Sequence, residues 1–545
     1  MKRTAHTALR RLLAAAGMIC SLSLGVFFGF SAGTETVSAA PVETVNITGA
    51  QISGGSVLVR VSASAVPGTD DGLYYLYAQD MNQAAAPGTP LLPENAGTQV
   101  ATAPAAAYAQ FGFPLNKNLV NSNLCRKFIV AVKQGGVMYT VSSSEEYISN
   151  PEAAAARAAV RNYSGKKGIL PSAALLDSGD LKALGVHQIT YNVPIGNLCA
   201  AGGAMIPFQY NGKIYHFNQA IVGQYDKLVP QMNGYGIEVT LILLNNRTGD
   251  PTLIHPLSRA YGGANYYALN TLETAGIEKL QAVAAFLGQR YSGTGHGTVD
   301  NWIIGNEVNA YSIWHYMNAD MATFISEYAK AFRIFYNVLK TENANARVYT
   351  CLDQQWNRAY AGGHYSSVNF LNSFNALISS TGNIDWRLAY HPYNYPMTNA
   401  LAWAPGASIV HSADTPFVSM QNIDVVTDYL SQPAFRSPSG AVRSVLLSEQ
   451  GYTSLAGEQL QAASVVYGYL QAMANSHVDG FILAREQDDG GEIATGLANG
   501  LTGLGGGHKL AWEYYQHIDK ADAGTYISMA NNIAGVNLQS LITPR

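Results

Sequence analysis

Cysteine is scarce in this chain: four in 545 residues, with Cys20 inside an amino-terminal apolar run and Cys125, Cys199 and Cys351 scattered beyond it. An odd, unpatterned trio of that kind is neither a disulfide framework nor a zinc site, and it reads as buried thiols with room for one disulfide at most. Charge is also thin. Only 12% of residues are charged and the net charge is −4, so there is no basic stripe and no case for nucleic-acid binding. No glycine-rich phosphate cradle, no Gly-x-Ser-x-Gly elbow and no His-x-His pair closing a first strand are present, which sets aside phosphoryl transfer, serine-hydrolase chemistry and the metallohydrolase barrels. The acidic run at residues 486–492 lacks the ordered spacing of a calcium loop and reads as solvated or substrate-facing. After residue 30 no stretch is long and apolar enough to span a membrane.

What the chain does have is a 48% share of hydrophobic residues, enough for a large core. It opens with Lys2, Arg3, Arg10 and Arg11, an apolar run over residues 12–30 and small residues before Pro41. That is the layout of a secretory signal over residues 1–39, with an uncleaved anchor as the competing reading. The expected location is secreted or extracellular, with no stable span after cleavage. At this length two folded parts are expected. Residues 40–150 read as short strands broken by turns, a small all-β sandwich-like domain, with residues 83–107 as a long Ala/Pro/Gly-rich loop and Gln134-Gly135-Gly136-Val137 as a hairpin turn. Residues 151–165 read as a linker.

From residue 166 to 545 the texture becomes α/β. Eight apolar runs, at 167–170, 187–194, 237–244, 301–305, 347–352, 385–390, 444–448 and 480–484, alternate with helical patterns, the plainest over residues 320–339 and 458–475. Strands buried on both faces read as continuous apolar runs of this kind, and eight of them predict a (β/α)8 barrel, in which chemistry sits at the carboxyl ends of the strands. Two of those ends carry carboxylates. The fourth run leads into Asn306-Glu307 and the seventh into Glu449. Two carboxylates placed so that their environments separate their pKa values can protonate a leaving oxygen and attack a sugar carbon, with no cofactor and no metal.

That placement resembles the clan A retaining glycoside hydrolases, whose barrel carries an Asn-Glu pair on strand four and a Glu on strand seven; the likeness covers roughly residues 166–517. The resemblance implies Glu307 as acid/base, Asn306 as a contact to the sugar hydroxyl beside the reacting carbon, and Glu449 as nucleophile. It also gives His391 and Tyr393, in the sixth run's His-x-Tyr, contacts to substrate and nucleophile. Other strand ends offer walls for a carbohydrate substrate: Asn245 and Asn246 after the third, Asp353 to Trp356 after the fifth, Arg485 and Glu486 after the eighth, with Trp356, Trp314 or Trp403 to stack on a ring face. The chain departs from the clan at three places. No arginine ends the second run, Asn-Asn replaces a histidine after the third, and the eighth lacks a tryptophan. The expectation is a retaining O-glycosidase of a divergent family acting on a poly- or oligosaccharide; the alternative is a barrel that binds glycan, or serves as a cell-surface structure, without turnover.

Overall fold

The computed structural model describes residues 44–161, 163–360, 362–406 and 408–545; the expected leader lies outside them. No helix among the described residues is long and apolar enough to cross a membrane.

The amino-terminal part is two antiparallel sheets. One holds Val45–Ser53, Ser56–Ala63 and Tyr108–Pro114; the other runs Thr98–Pro104, Leu73–Gln79, Lys127–Gln134, Val137–Thr140. Period-two alternation points Val57, Val59 and Val61 inward, and Phe113 meets Phe128 of the other sheet edge to face at 5.3 Å, which closes the layer between them. Gly135 and Gly136, at φ 59° and 80°, make the two-residue turn that joins paired Gln134 and Val137. The stretch expected to be a long loop contains the strand Thr98–Pro104, an edge strand with only Ala103 buried. It is held by backbone pairing and so shows no apolar alternation.

The second part is a closed barrel of eight parallel strands: Lys167–Ile169, Gln188–Pro194, Glu238–Leu244, Asn301–Ile304, Arg347–Asp353, Arg387–His391, Val445–Gln450 and Val478–Leu483, the eighth pairing with the first. Its interior is a separate apolar cluster built from Ile242, Leu244, Ile303, Tyr349, Cys351, Ala389, Leu446 and Ile482. Below that layer, at the amino end, the filling turns polar. Arg161 donates to Glu238 and Asn301, each at 2.7 Å, while Arg347 and Tyr349 converge on Asp479. Arg161 thus fastens the segment between sandwich and barrel to the barrel floor.

The helix Met321–Glu342, capped by Asp320 accepting from the Thr323 N–H, is buried on nearly every side in its second half. Sequence periodicity predicts one apolar stripe facing the barrel. The outer face is also covered, because the amino-terminal part packs there: Asn337 donates to the Leu124 carbonyl, Lys117 to that of Thr341, and fully buried Arg333 lies 4.8 Å over the Tyr147 ring. All three described cysteines are free. After the second barrel strand the chain forms a hairpin of Met205–Tyr210 and Lys213–Asn218, docked through Phe217 stacked 4.0 Å from Phe286.

Candidate active site

The fourth strand ends in a sharp turn that aims its carboxylate. Gly305 has φ 79°, and a Cβ there would stand 2.7 Å from Val308, so only glycine fits. Two residues on, Glu307 itself takes φ 36°, a left-handed backbone uncommon for a residue with a Cβ and found where a site over-determines the chain. On the seventh strand the register against the eighth slips between Leu447 and Gln450. Ser448 and Glu449 lie in that irregularity, the kind of bulge that re-aims a side chain out of the ladder.

The end of the sixth strand stands between these two carboxylates. His391 Nδ1 lies 2.8 Å from Glu307 Oε1. Its Nε2 lies 3.1 Å from Ser448 Oγ and 3.3 Å from Cys351 Sγ, so the ring is held on both edges. Tyr393 donates its hydroxyl to Glu449 Oε1 at 2.8 Å. The His391 and Tyr393 rings are 6.5 Å apart and nearly perpendicular, and both residues are buried. Asn306 is buried beside Glu307, with its Oδ1 3.9 Å from the Cys351 thiol.

Burial pushes the Glu307 carboxyl above the ordinary glutamate range; the His391 hydrogen bond works against this, and the charges of Asp353 and Glu449 add to it. A carboxyl that holds its proton beside a second carboxylate can donate that proton. Burial and then the Glu449 charge hold the Tyr393 phenol protonated, well above its ordinary value, which keeps it a donor to Glu449. Around this centre Asp353 is fixed by Asn309 (2.7 Å) and His364 (2.8 Å). Arg485 is paired with Glu492, whose own carboxyl is raised by burial and also feels Glu449.

The structure therefore brings together Glu307, Glu449, His391, Tyr393 and Asn306, with Arg485 nearby. Four residues expected at the pocket wall do other work; one, Glu486, is fully buried and accepts from the Ser172 N–H at 2.6 Å. Trp356 is fully buried, its Nε1 donating to the Ala413 carbonyl and its ring edge-on to Tyr429, so no sugar reaches its face. Asn245 is buried and ties down the following loop through the Leu253 and Ala268 carbonyls. Asn246 is spent on Asn197, joining the loops after strands two and three. In the acidic run Asp488 pairs with Lys509, and Asp489 caps a short helix through the N–H groups of Gly491 and Glu492.

Sequence reasoning missed Cys351 and Ser448, the two groups that seat His391. Period-two counting back from Asp353 places Cys351 on the same, inward side of its strand, so the signal was present. It also missed Tyr266, which packs on the barrel's interior cluster and stacks 5.9 Å from the partly exposed Trp314.

Residues 159–541 match DUF5722, described as a family of unknown function. The chain belongs to this family. No curated protein matches it. Among solved structures the DUF5722 chain is similar to a family 39 glycoside hydrolase from the gut symbiont Bacteroides cellulosilyticus WH2, at 14% identity and TM-score 0.44 over 83% of this chain and 78% of that one. It is also similar to Fpglu1 from Fervidobacterium pennivoraus, at 12% identity and TM-score 0.44 over 68% and 87%. A third likeness is to GH5_18 from Bifidobacterium longum subsp. longum, at 14% identity and TM-score 0.42 over 66% and 79%.

Proposed function

We propose that this DUF5722 protein is an exported glycoside hydrolase that cleaves O-glycosidic bonds of a poly- or oligosaccharide in two retaining steps. In the first, the Glu307 carboxylic acid gives its proton to the glycosidic oxygen as the bond from that oxygen to the anomeric carbon breaks, and a Glu449 oxygen bonds to that carbon. In the second, the Glu307 carboxylate takes a proton from water, the water oxygen bonds to the anomeric carbon and Glu449 leaves. Tyr393 orients Glu449, His391 orients Glu307, and Asn306 meets the hydroxyl beside the reacting carbon.

The observation that carries this reading is the sixth strand's division of labour: His391 on Glu307 and Tyr393 on Glu449, two residues apart, hold carboxylates that come from strands four and seven. A structural role for two partly exposed acids would not need a separate buried partner for each. The test is sugar release by the full chain from a panel of polysaccharides and aryl glycosides, beside Glu307→Gln and Glu449→Gln. Release by wild type that both variants lose supports the reading. Release that survives Glu449→Gln, or a wild type that binds glycan and releases nothing, contradicts it.

A further inference from the structure

The carboxyl end of the barrel carries a guanidinium that no oxygen among the described residues claims. Arg358 follows the fifth strand by five residues and is partly exposed. Its guanidinium carbon lies 5.1 Å from the ring centroids of both Tyr395 and Phe417, which stack on each other at 3.8 Å. Backbone bonds from Val418 N–H to the Gln354 carbonyl and from Asn357 N–H to that of Pro416 fasten the Arg358 loop to the segment bearing Phe417.

Other cations in the loops of this end are spoken for. Arg485 meets Glu492 and Asp489, Arg259 meets Glu273, Lys509 meets Asp488, and Arg247 donates to the carbonyls of Arg259 and Tyr261. Among the described residues Arg358 has only its two rings. It is also close to the chemistry. Tyr395 follows Tyr393 by two residues, so their Cα atoms are within about 7.6 Å of each other, and Tyr393 holds Glu449.

A guanidinium 5.1 Å from both centroids of a pair stacked at 3.8 Å packs against the side of that pair, which restricts where it stands and leaves its N–H edge free. A planar, permanently charged fork so fixed matches a carboxylate or sulfate with two parallel hydrogen bonds. We propose that Arg358, held by Tyr395 and Phe417, is a subsite for an anionic sugar, and that the substrate is a glycan carrying carboxylate or sulfate groups. The proposal rests on the glycosidase reading for the identity of the ligand as a glycan.

The test uses the full chain as Glu449→Gln, so that binding is read without turnover. Retention is measured in gels cast with pectate, alginate, hyaluronan, glucuronoxylan, carrageenan or chondroitin sulfate, beside neutral xylan, galactan, mannan and glucan. Retention is expected on at least one charged polysaccharide, weakened by added salt, and reduced about tenfold or more by adding Arg358→Met, the scale of losing a charge-assisted contact. Arg358→Lys, which keeps the charge without the fork and guards against a folding defect, is expected to fall between. Carboxyl reduction of the retained polysaccharide and its desulfation, run separately, tell the two anions apart. Retention on neutral glycans alone, on none of the panel, or unchanged by Arg358→Met overturns the proposal. Sugar release by wild type from neutral glycans only would overturn it while leaving the glycosidase reading standing. Charged-glycan retention with no sugar release would do the reverse.

Discussion

Tyr393 donates a 2.8 Å hydrogen bond to Glu449 Oε1, and among the described residues its hydroxyl has no other hydrogen-bond partner. Removing that oxygen leaves the ring's packing in place and frees one carboxylate oxygen to rotate. Tyr393→Phe is expected to lower kcat by roughly 10- to 100-fold, the scale of losing one positioned donor, with the thermal midpoint nearly unchanged. A kcat within twofold of wild type would show that Glu449 does not depend on this bond.

His391 sets a pH limit. Burial holds the Glu307 carboxyl above the ordinary range, and the His391 hydrogen bond partly offsets it. The first step needs Glu307 protonated, so activity falls as pH rises through its pKa. With His391→Ala the offset disappears, the Glu307 pKa rises further and the alkaline limb of kcat/KM against pH moves to higher pH, on a lower plateau. An alkaline limb that stays put, or moves to lower pH, would contradict the assignment of that limb to Glu307.

The barrel floor gives a stability prediction independent of any chemistry. Glu238 is buried, and Arg161 meets it at 2.7 Å while also donating to the Asp300 carbonyl. Arg161→Ala leaves a buried carboxylate without its cation and is expected to cost about 3–5 kcal/mol, read from denaturant unfolding; the double change with Glu238→Gln should recover part of it.

Glu486 should make stability fall with pH. It is fully buried, takes the Ser172 N–H at 2.6 Å, and burial pushes its carboxyl up to about 7 from the ordinary 4.5. A raised folded pKa means the native state holds the proton longer than the unfolded chain. Its contribution is complete below about 4.5 and is lost as pH rises toward about 7. At about 1.36 kcal/mol per pH unit the loss is at most about 3–4 kcal/mol. Glu486→Gln should flatten that part of the profile in denaturant midpoints taken from pH 4.5 to 8; an unchanged slope would mean the group titrates normally.

The barrel was legible because strands buried on both faces leave a continuous apolar signature. Glu-Val-Thr-Leu-Ile-Leu-Leu at Glu238–Leu244 is buried at every position, and five of its seven residues are apolar. Glu307 and Glu449 could be singled out as candidates because each stands at the carboxyl end of such a run, the end from which a barrel presents its side chains. Trp356 and Asn245 were not legible, since a polar or aromatic residue past a strand end looks the same whether it lines the cleft or pins a loop from beneath. Edge elements hid for another reason: Met205–Tyr210 and Thr98–Pro104 are mostly exposed or half-exposed and are held by backbone pairing, which leaves no periodic trace in side chains. The helix Met321–Glu342 showed its inner stripe but not its outer contacts, because nothing in its periodicity names the partner that covers the far side.

The most direct test of the two-glutamate account is the configuration of the first product formed. On the first glycan found to release sugar, proton NMR of the reaction in its opening minutes distinguishes the anomers before they interconvert. If Glu449 forms a covalent glycosyl-enzyme that Glu307 then hydrolyses, the first-formed sugar keeps the anomeric configuration of the bond that was cut. An inverted first product would contradict Glu449 as nucleophile and leave a single displacement by water in its place.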